Sequence, residues 1–532
     1  MSHTTNVAHF DLFVILLATV VGLELAARRL KMPPAAALIL GGIGFAFIPG
    51  LPDFELDPDL VLVLFLPPLL LSSSYFTPWR EFRKNLWIIL QLAVGAVGFT
   101  TLIVGLVAHW VEPSLPWAAC FALGAIVSPP DAVAAKAVLQ RLSLPPRMVL
   151  LLEGESLVND ASGLVLFRLA VAAALTGTFS VGQAAVSFGL LSVGGIVAGL
   201  FFAFVTDFML RRLTDAHMAI IGTFLAAWIS YIGAEAAGFS GVLSTVACGL
   251  VLGWRQHEVF SANIRREAVA VWGFVVFILE SLIFILIGLS LRSIVARFGW
   301  HAMLELLPAA AAIVVTVIIA RFVWIFASIY IPRALIPPLR RLSPYPPFAA
   351  PIIMSWAGMR GVVSLAAALS LPVGFAGRDF IMAMTFVVIL VTILLQGSTL
   401  GVLIRRLGVI KLKPNSANGA LTIEQARAQM ATVQLQAVKK ISSQKDGSEL
   451  HPRLVEQYGY RAKASLHFSK AEDELRPRRD EHFSTVLAAI AAGRVEIIRM
   501  HRAQEIDDAA LHALERQLDL EEMNAAEFLE GP

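Results

Sequence analysis

The chain has 532 residues, of which 57% are hydrophobic and only 15% charged, against about 25% charged in a soluble globular protein. With a mean hydropathy of +0.74, this excludes a string of soluble domains and places most of the chain in lipid. A net charge of +3 leaves no basic footprint for nucleic acid. The two cysteines, Cys120 and Cys248, both inside apolar runs, exclude a disulfide scaffold and a cysteine-built metal site.

The first charge is Asp11, and no basic region precedes the apolar run that ends near Leu25, so this run is read as a spanning helix rather than a cleavable leader. Apolar runs bounded by proline, glycine or charge then follow at 10–27, 34–48, 58–74, 86–110, 117–138, 147–175, 183–208, 216–236, 239–253, 268–290, 303–331, 348–371 and 379–404. This predicts an all-α polytopic protein with about 13 transmembrane helices. Residues 411–532 differ: they hold 17 Lys/Arg and 19 Asp/Glu. The chain is therefore divided into a transmembrane domain, 1–410, and a soluble helical tail, 411–532, with a polar, turn-rich linker at 411–419. Ala431, Leu435 and Val438 in the tail stand at helical spacing.

Lys and Arg in the connections set the orientation. Connections after odd-numbered spans carry 16, from Arg28 to Arg341, and those after even-numbered spans only Arg292, Arg297 and Arg378. Positive loops stay in the cytoplasm, so the N-terminus is expected outside and the tail inside.

Charges within membrane spans are costly and mark a pathway or a pair. In the fifth span, Pro129 and Pro130 remove two backbone donors, so the helix breaks there, with Asp131 at the break. Broken helices at membrane depth line cavities or are buried in protein, and their freed ends can bind ions. The same residues also fit a plain proline kink with Asp131 as a cap. In the sixth span, Ser156 and Asp160 are four apart and share one helix face, Glu155 and Asn159 share the adjoining face, and Glu153 lies nearer the cytoplasmic end. Asp160, with Asp131 and Ser156, can hold a proton or a hard monovalent cation, and the two compete. The twelfth span carries Arg360 between Gly358 and Gly361. Arginine stays charged, so it requires an anion, and Glu155 is the expected partner. Glu280, Arg168 and Arg321 are expected to brace helices, and Lys136 to snorkel towards the cytoplasm. The fifth and twelfth spans cross in opposite directions, the spacing of an inverted repeat.

These segments resemble the cation:proton antiporter family that includes sodium/proton exchangers and the bacterial NhaP-type proteins. The resemblance is carried by Ser-Pro-Pro-Asp at 128–131, Gly-Glu-Ser-Leu-Val-Asn-Asp at 154–160, Gly-Met-Arg-Gly at 358–361 and Phe-Leu-Pro-Pro-Leu-Leu-Leu at 65–71. It implies an inverted-repeat fold, with a mobile core domain beside a dimerisation domain, and a homodimer. It makes Asp160 the carrier of ion and proton, places Asp131 and Ser156 in the same cation site, and makes Glu155 and Arg360 the pair bracing the core. Asn159 stands where charge-moving relatives have a second aspartate, which implies electroneutral one-for-one exchange of sodium, or lithium, for protons by alternating access. The chain departs from many exchangers in having Pro130 rather than threonine before Asp131. Potassium, or a mixture of monovalent cations, is the alternative substrate. No cofactor and no enzymatic activity are expected, and a bacterial inner membrane is the expected location.

Rival classes fit less well. A channel needs a continuous polar pore, whereas the acids here gather at one depth. An intramembrane enzyme lacks its motif: there is no His-Glu-x-x-His, and the sequence at 154–158 lacks the second glycine of a nucleophile elbow. The tail holds His451, His467, His482, His501 and His512, read as incidental residues on solvated helices rather than as a pH sensor.

Overall fold

A computed structural model describes residues 2–48, 58–131, 135–136, 144–177, 180–335, 345–408, 421–443 and 449–530. The connections at 49–57, 137–143 and 336–344 and the 411–419 linker, used above for topology and division, lie outside the described residues. Backbone groups in hydrocarbon have to be satisfied within their own segment, so apolar runs become helices. Among the described residues regular structure is helical throughout, apart from one isolated bridge between Ser443 and Glu449.

The helices are α1 (Ser2–Leu30), α2 (Pro34–Ala46), α3 (Pro58–Tyr75), α4 (Trp79–Leu90), α5 (Val97–Val111), α6 (Trp117–Val127), α7 (Pro146–Thr176), α8 (Val181–Leu210), α9 (Ala216–Ala236), α10 (Gly241–Val259), α11 (Ala262–Glu305), α12 (Leu307–Leu335), α13 (Ala349–Trp356), α14 (Val362–Leu369), α15 (Arg378–Val391) and α16 (Ser398–Leu407). A π-helical segment, Gln91–Ala96, joins α4 to α5, and another, Thr392–Gly397, joins α15 to α16. Seven of these helical stretches are long and apolar enough to cross a membrane; Pro34–Ala46, Val61–Tyr75 and Trp117–Val127 are shorter apolar helices. The chain is thus a polytopic membrane protein, and it divides into two compact units, Met1–Lys413 and Pro414–Pro532.

Within the first unit the helices pack as two groups. Helices α1–α3 and α8–α11 pack chiefly among themselves, led by α2 on α11 and α8 on α10; α4–α7 and α12–α16 form the other group, led by α5 on α6 and α6 on α7. The α2–α11 crossing is a backbone approach through glycine. A Cβ on Gly42 would lie 2.3 Å from the Ile285 carbonyl oxygen, and one on Gly288 would lie 2.3 Å from that of Ile39. In the other group, the π segment after α4 exposes the Gln91 carbonyl, which accepts a hydrogen bond from the Trp324 indole at 2.9 Å and so ties α12 to it.

The second unit contains α17 (Ile423–Ser442), α18 (Pro452–Lys470), α19 (Glu472–Arg502) and α20 (Asp508–Glu530). Thr422 starts α17 with a capping box completed by Gln425. Helix α17 packs on α18 and α19 on α20. Glu424 is buried and binds Arg427 at 3.1 Å and Arg479 at 3.3 Å.

Candidate ion-binding site

The site forms where two helices are interrupted. Helix α6 ends at Val127 and is capped by Ser128, which keeps helical dihedrals; Pro129, Pro130 and Asp131 follow outside the helix. Helix α13 ends at Trp356, and α14 restarts at Val362 after Ala357–Gly361. The two interruptions touch: the Asp131 amide donates to the Met359 carbonyl at 2.6 Å. Gly361 permits this approach, because a Cβ there would fall 1.6 Å from a carboxylate oxygen of Asp131. That places the Asp131 carboxylate at the amino end of α14, where the helix dipole favours an anion.

The last carbonyls of a half-helix have no partner within it and carry partial negative charge. An arginine satisfies them at each break. Arg360 donates from Nε to the Val127 carbonyl at 2.9 Å and from Nη2 to that of Ser128 at 3.4 Å, and it also reaches the Gly358 carbonyl. Arg321, on α12, donates to the Met354 carbonyl of α13 at 3.3 Å from Nε and 3.2 Å from Nη2. The Arg360 amide is held by the Thr392 hydroxyl at 3.1 Å, in the second π segment. Asn159 closes the first break by donating to the Pro130 carbonyl at 2.7 Å.

This arrangement corrects the expected Glu155–Arg360 bridge. Glu155 pairs with Arg321: Nη1 lies 2.6 Å from Oε1 and Nη2 2.9 Å from Oε2, with both side chains buried. Arg360 binds carbonyl oxygens instead. The physical reason is that a guanidinium offers five donors and no acceptor, so the negative end of a half-helix can take the place of a carboxylate. Which of two buried arginines meets a given acid depends on helix packing, which spacing along the chain does not encode.

Helix α7 presents two faces, as its periodicity predicts. Glu155 and Asn159 point into protein, towards Arg321 and the break. The Asn159 Oδ1 is buried without a hydrogen-bond partner among the described residues. Glu153, Ser156, Leu157 and Asp160 line a cavity of about 60 Å³, room for a few waters or a small, partly hydrated cation. Asp131 lines it too, so the three residues expected to form the cation site share one space. Lys136 and Glu280 also line it; Lys136 pairs with Glu153 at 3.3 Å rather than only reaching towards solvent. Leu66, Leu69, Leu70 and Ser73 of α3, with Ile283 and Phe284 of α11, form the facing wall. The cavity therefore lies between the two helix groups.

Of the residues expected to brace helices, Arg321 pairs with Glu155, and Arg168 pairs with Glu235 of α9 at 2.9 Å. Glu280 lines the cavity instead. Its place was not readable from the sequence, although it is the sole charge in its apolar run, 268–290, which is the signal that marks it. Ser73 and Thr392 carried no such signal.

A family model described as sodium/hydrogen exchanger, transmembrane, matches residues 15–406. The sodium, potassium, lithium and rubidium/H(+) antiporter of Bacillus pumilus is 34% identical over 408 residues, covering 73% of this chain and 60% of that protein. A similar protein of Bacillus subtilis is covered to 61%, so the chain spans about three-fifths of the length of these relatives. The uncharacterized Na(+)/H(+) exchanger Mb2309 of Mycobacterium bovis is 30% identical over 536 residues, 97% of this chain and 96% of that protein. The structure of the sodium proton antiporter MjNhaP1 of Methanocaldococcus jannaschii superposes with a TM-score of 0.55 over 77% of this chain and 100% of that one, at 20% identity.

Proposed function

Because the chain belongs to the sodium/hydrogen exchanger family, a family of transporters, we propose that it exchanges sodium for protons one for one by alternating access, with Asp160 as the carrier. The observation that carries this reading is the meeting of Asp131, Ser156 and Asp160 in one cavity between two helix groups, at the crossing of two interrupted helices. The group of α4–α7 and α12–α16 rocks against the other and takes Asp160 from one side of the membrane to the other. Asp160 bearing a proton or a sodium ion is neutral and crosses. A bare carboxylate does not, since removing it from water costs several kcal/mol. That penalty blocks the empty return and couples the two fluxes. Asn159 donates an amide to the break and adds no charge, in keeping with electroneutral exchange.

The same reading has the chain cross the membrane thirteen times, with the N-terminus outside and residues 411–532 in the cytoplasm. It places the protein in a bacterial inner membrane as a homodimer. In that dimer helix α8 would form the contact: its spanning window is only 17% buried, the least of the seven, which leaves an apolar face open to lipid or to a second copy. A broader substrate range is the second reading, favoured by the Bacillus pumilus relative, whose name includes potassium, lithium and rubidium.

Inside-out vesicles from antiporter-deficient cells test both readings. The lumen is acidified, sodium, lithium or potassium is added in turn, and dequenching of a pH dye is followed. Sodium-driven dequenching that is absent in Asp160→Asn is expected. A potassium response of equal size selects the broader range. No response to any cation, with folded protein present, sinks the proposal.

A further inference from the structure

The cavity has two walls, and they belong to different helix groups. Asp160 and Ser156 stand on α7, whereas Glu280 stands on α11. We propose that Glu280 is a cation-contacting residue of the exchange site, supplied by the opposite wall, so that the ion in this conformation is held between Asp160 and Glu280. The inference rests on the exchange reading above.

Charge compensation carries the argument. Four carboxyl-bearing side chains line the cavity, Asp131, Glu153, Asp160 and Glu280, and the cation among the described lining residues is Lys136. Lys136 lies 3.3 Å from Glu153 and its charge also reaches Glu280, so one cation is shared among four carboxyl groups. Glu280 forms no direct hydrogen bond or salt bridge among the described residues; the charges that act on it are Lys136 and Asp131, and its neighbours on the wall, Ile283 and Phe284, are apolar. The arginines that could have braced it are engaged elsewhere: Arg168 with Glu235 and Arg321 with Glu155. A carboxylate sharing a narrow, largely apolar space with others is neutralised by a proton or by a mobile counter-charge. The exchanged cation supplies that charge.

Position then gives Glu280 a signature. When α7 moves with its group and carries Asp160 away, Glu280 stays behind. It therefore strengthens ion binding on the face to which this cavity opens and not on the other. A residue that only braces helices has no such sidedness.

The test measures sodium-driven proton release in inside-out and right-side-out vesicles at matched protein levels. Wild type, Glu280→Gln and Glu280→Asp are compared. Glu280→Gln should raise half-saturating sodium on one face by about fivefold, the range expected for losing one charged contact, and by more than it lowers the maximal rate. Glu280→Asp, which keeps the charge, should recover part of that loss. Unchanged half-saturation on both faces overturns the proposal, as does an equal rise on both. A fall in maximal rate alone is the mark of a bracing residue and also overturns it. Wild type inactive with every cation would overturn the exchange reading, and this inference with it, so the two failures are told apart by the wild-type trace.

Discussion

Arginine–glutamate pairs occur in both units of the chain, and the contrast between them shows what burial does to a charge. In the membrane unit, the Arg321 and Glu155 side chains are 3% and 1% exposed and are joined by two parallel hydrogen bonds. In the second unit, Arg499 binds Glu496 and Glu505, and all three side chains are about half exposed. Water can take over from a lost partner in the second case but not in the first. The Arg321–Glu155 pair also does something the exposed cluster does not: it fixes a helix end. Through Arg321, Glu155 is linked to the Met354 carbonyl at the end of α13, and so to the geometry of one break.

The largest effect should come from separating that buried pair. Arg321→Ala leaves Glu155 charged and uncompensated, a loss of about 3–5 kcal/mol. The purified protein should unfold at a much lower temperature, and Glu155→Ala should do the same. In a double-mutant cycle the two changes should be strongly non-additive. Near-additivity would break the comparison, because it would place the pair with surface pairs such as Arg499–Glu496.

Arg360 comes next, since its donors go to neutral carbonyls. Arg360→Ala leaves the Val127 and Ser128 carbonyls buried without their donors, a cost of about 1–3 kcal/mol. Arg360→Gln keeps a donor and should lose less. The Glu155/Arg360 cycle should give a coupling well below that of Glu155/Arg321, measured in the same thermal unfolding assay. A larger coupling for Glu155/Arg360 would restore the pairing first expected from the sequence.

That expectation marks where the sequence stopped being readable. The first break was legible because Pro129 and Pro130 each remove a backbone donor and crowd the preceding turn, and a carboxylate follows them at once; a proline pair alone does not decide it, since Pro67 and Pro68 lie inside the continuous helix α3. The two faces of α7 were legible because residues four apart stack, so Ser156 with Asp160 and Glu155 with Asn159 follow from helix geometry. The convergence of Asp131 and Asp160 on one cavity followed from the family resemblance and from the cost of lone carboxylates in lipid. Partner choice was not legible. Arg321 and Arg360 are both buried, and what separates them is the rotation and depth of α12 and of the α13–α14 break, which are products of packing. Glu280 was visible as an anomaly, but only its place on the cavity wall distinguishes an ion contact from a brace.

The smallest effect belongs to the exposed cluster, and its pH dependence sharpens the contrast. Hydrogen bonds from Arg499, aided by its charge, hold the Glu496 carboxyl below the ordinary glutamate range. A depressed folded-state value means that the contribution is present above the unfolded carboxyl's range and is lost as pH falls through the folded value. Wild type and Glu496→Gln should thus differ, if at all, at neutral pH, and converge once the carboxyl is protonated. The difference should be slight, because both side chains are solvated and Arg499 keeps Glu505 when Glu496 is removed. Hydrogen–deuterium exchange across the last turns of α19 in the full chain measures it, with intrinsic rates corrected at each pH. A Glu496→Gln change that lowered the unfolding temperature as far as is expected of Glu155→Ala would end the comparison. Exposure would then no longer separate a charge that shapes the site from one that dresses a surface.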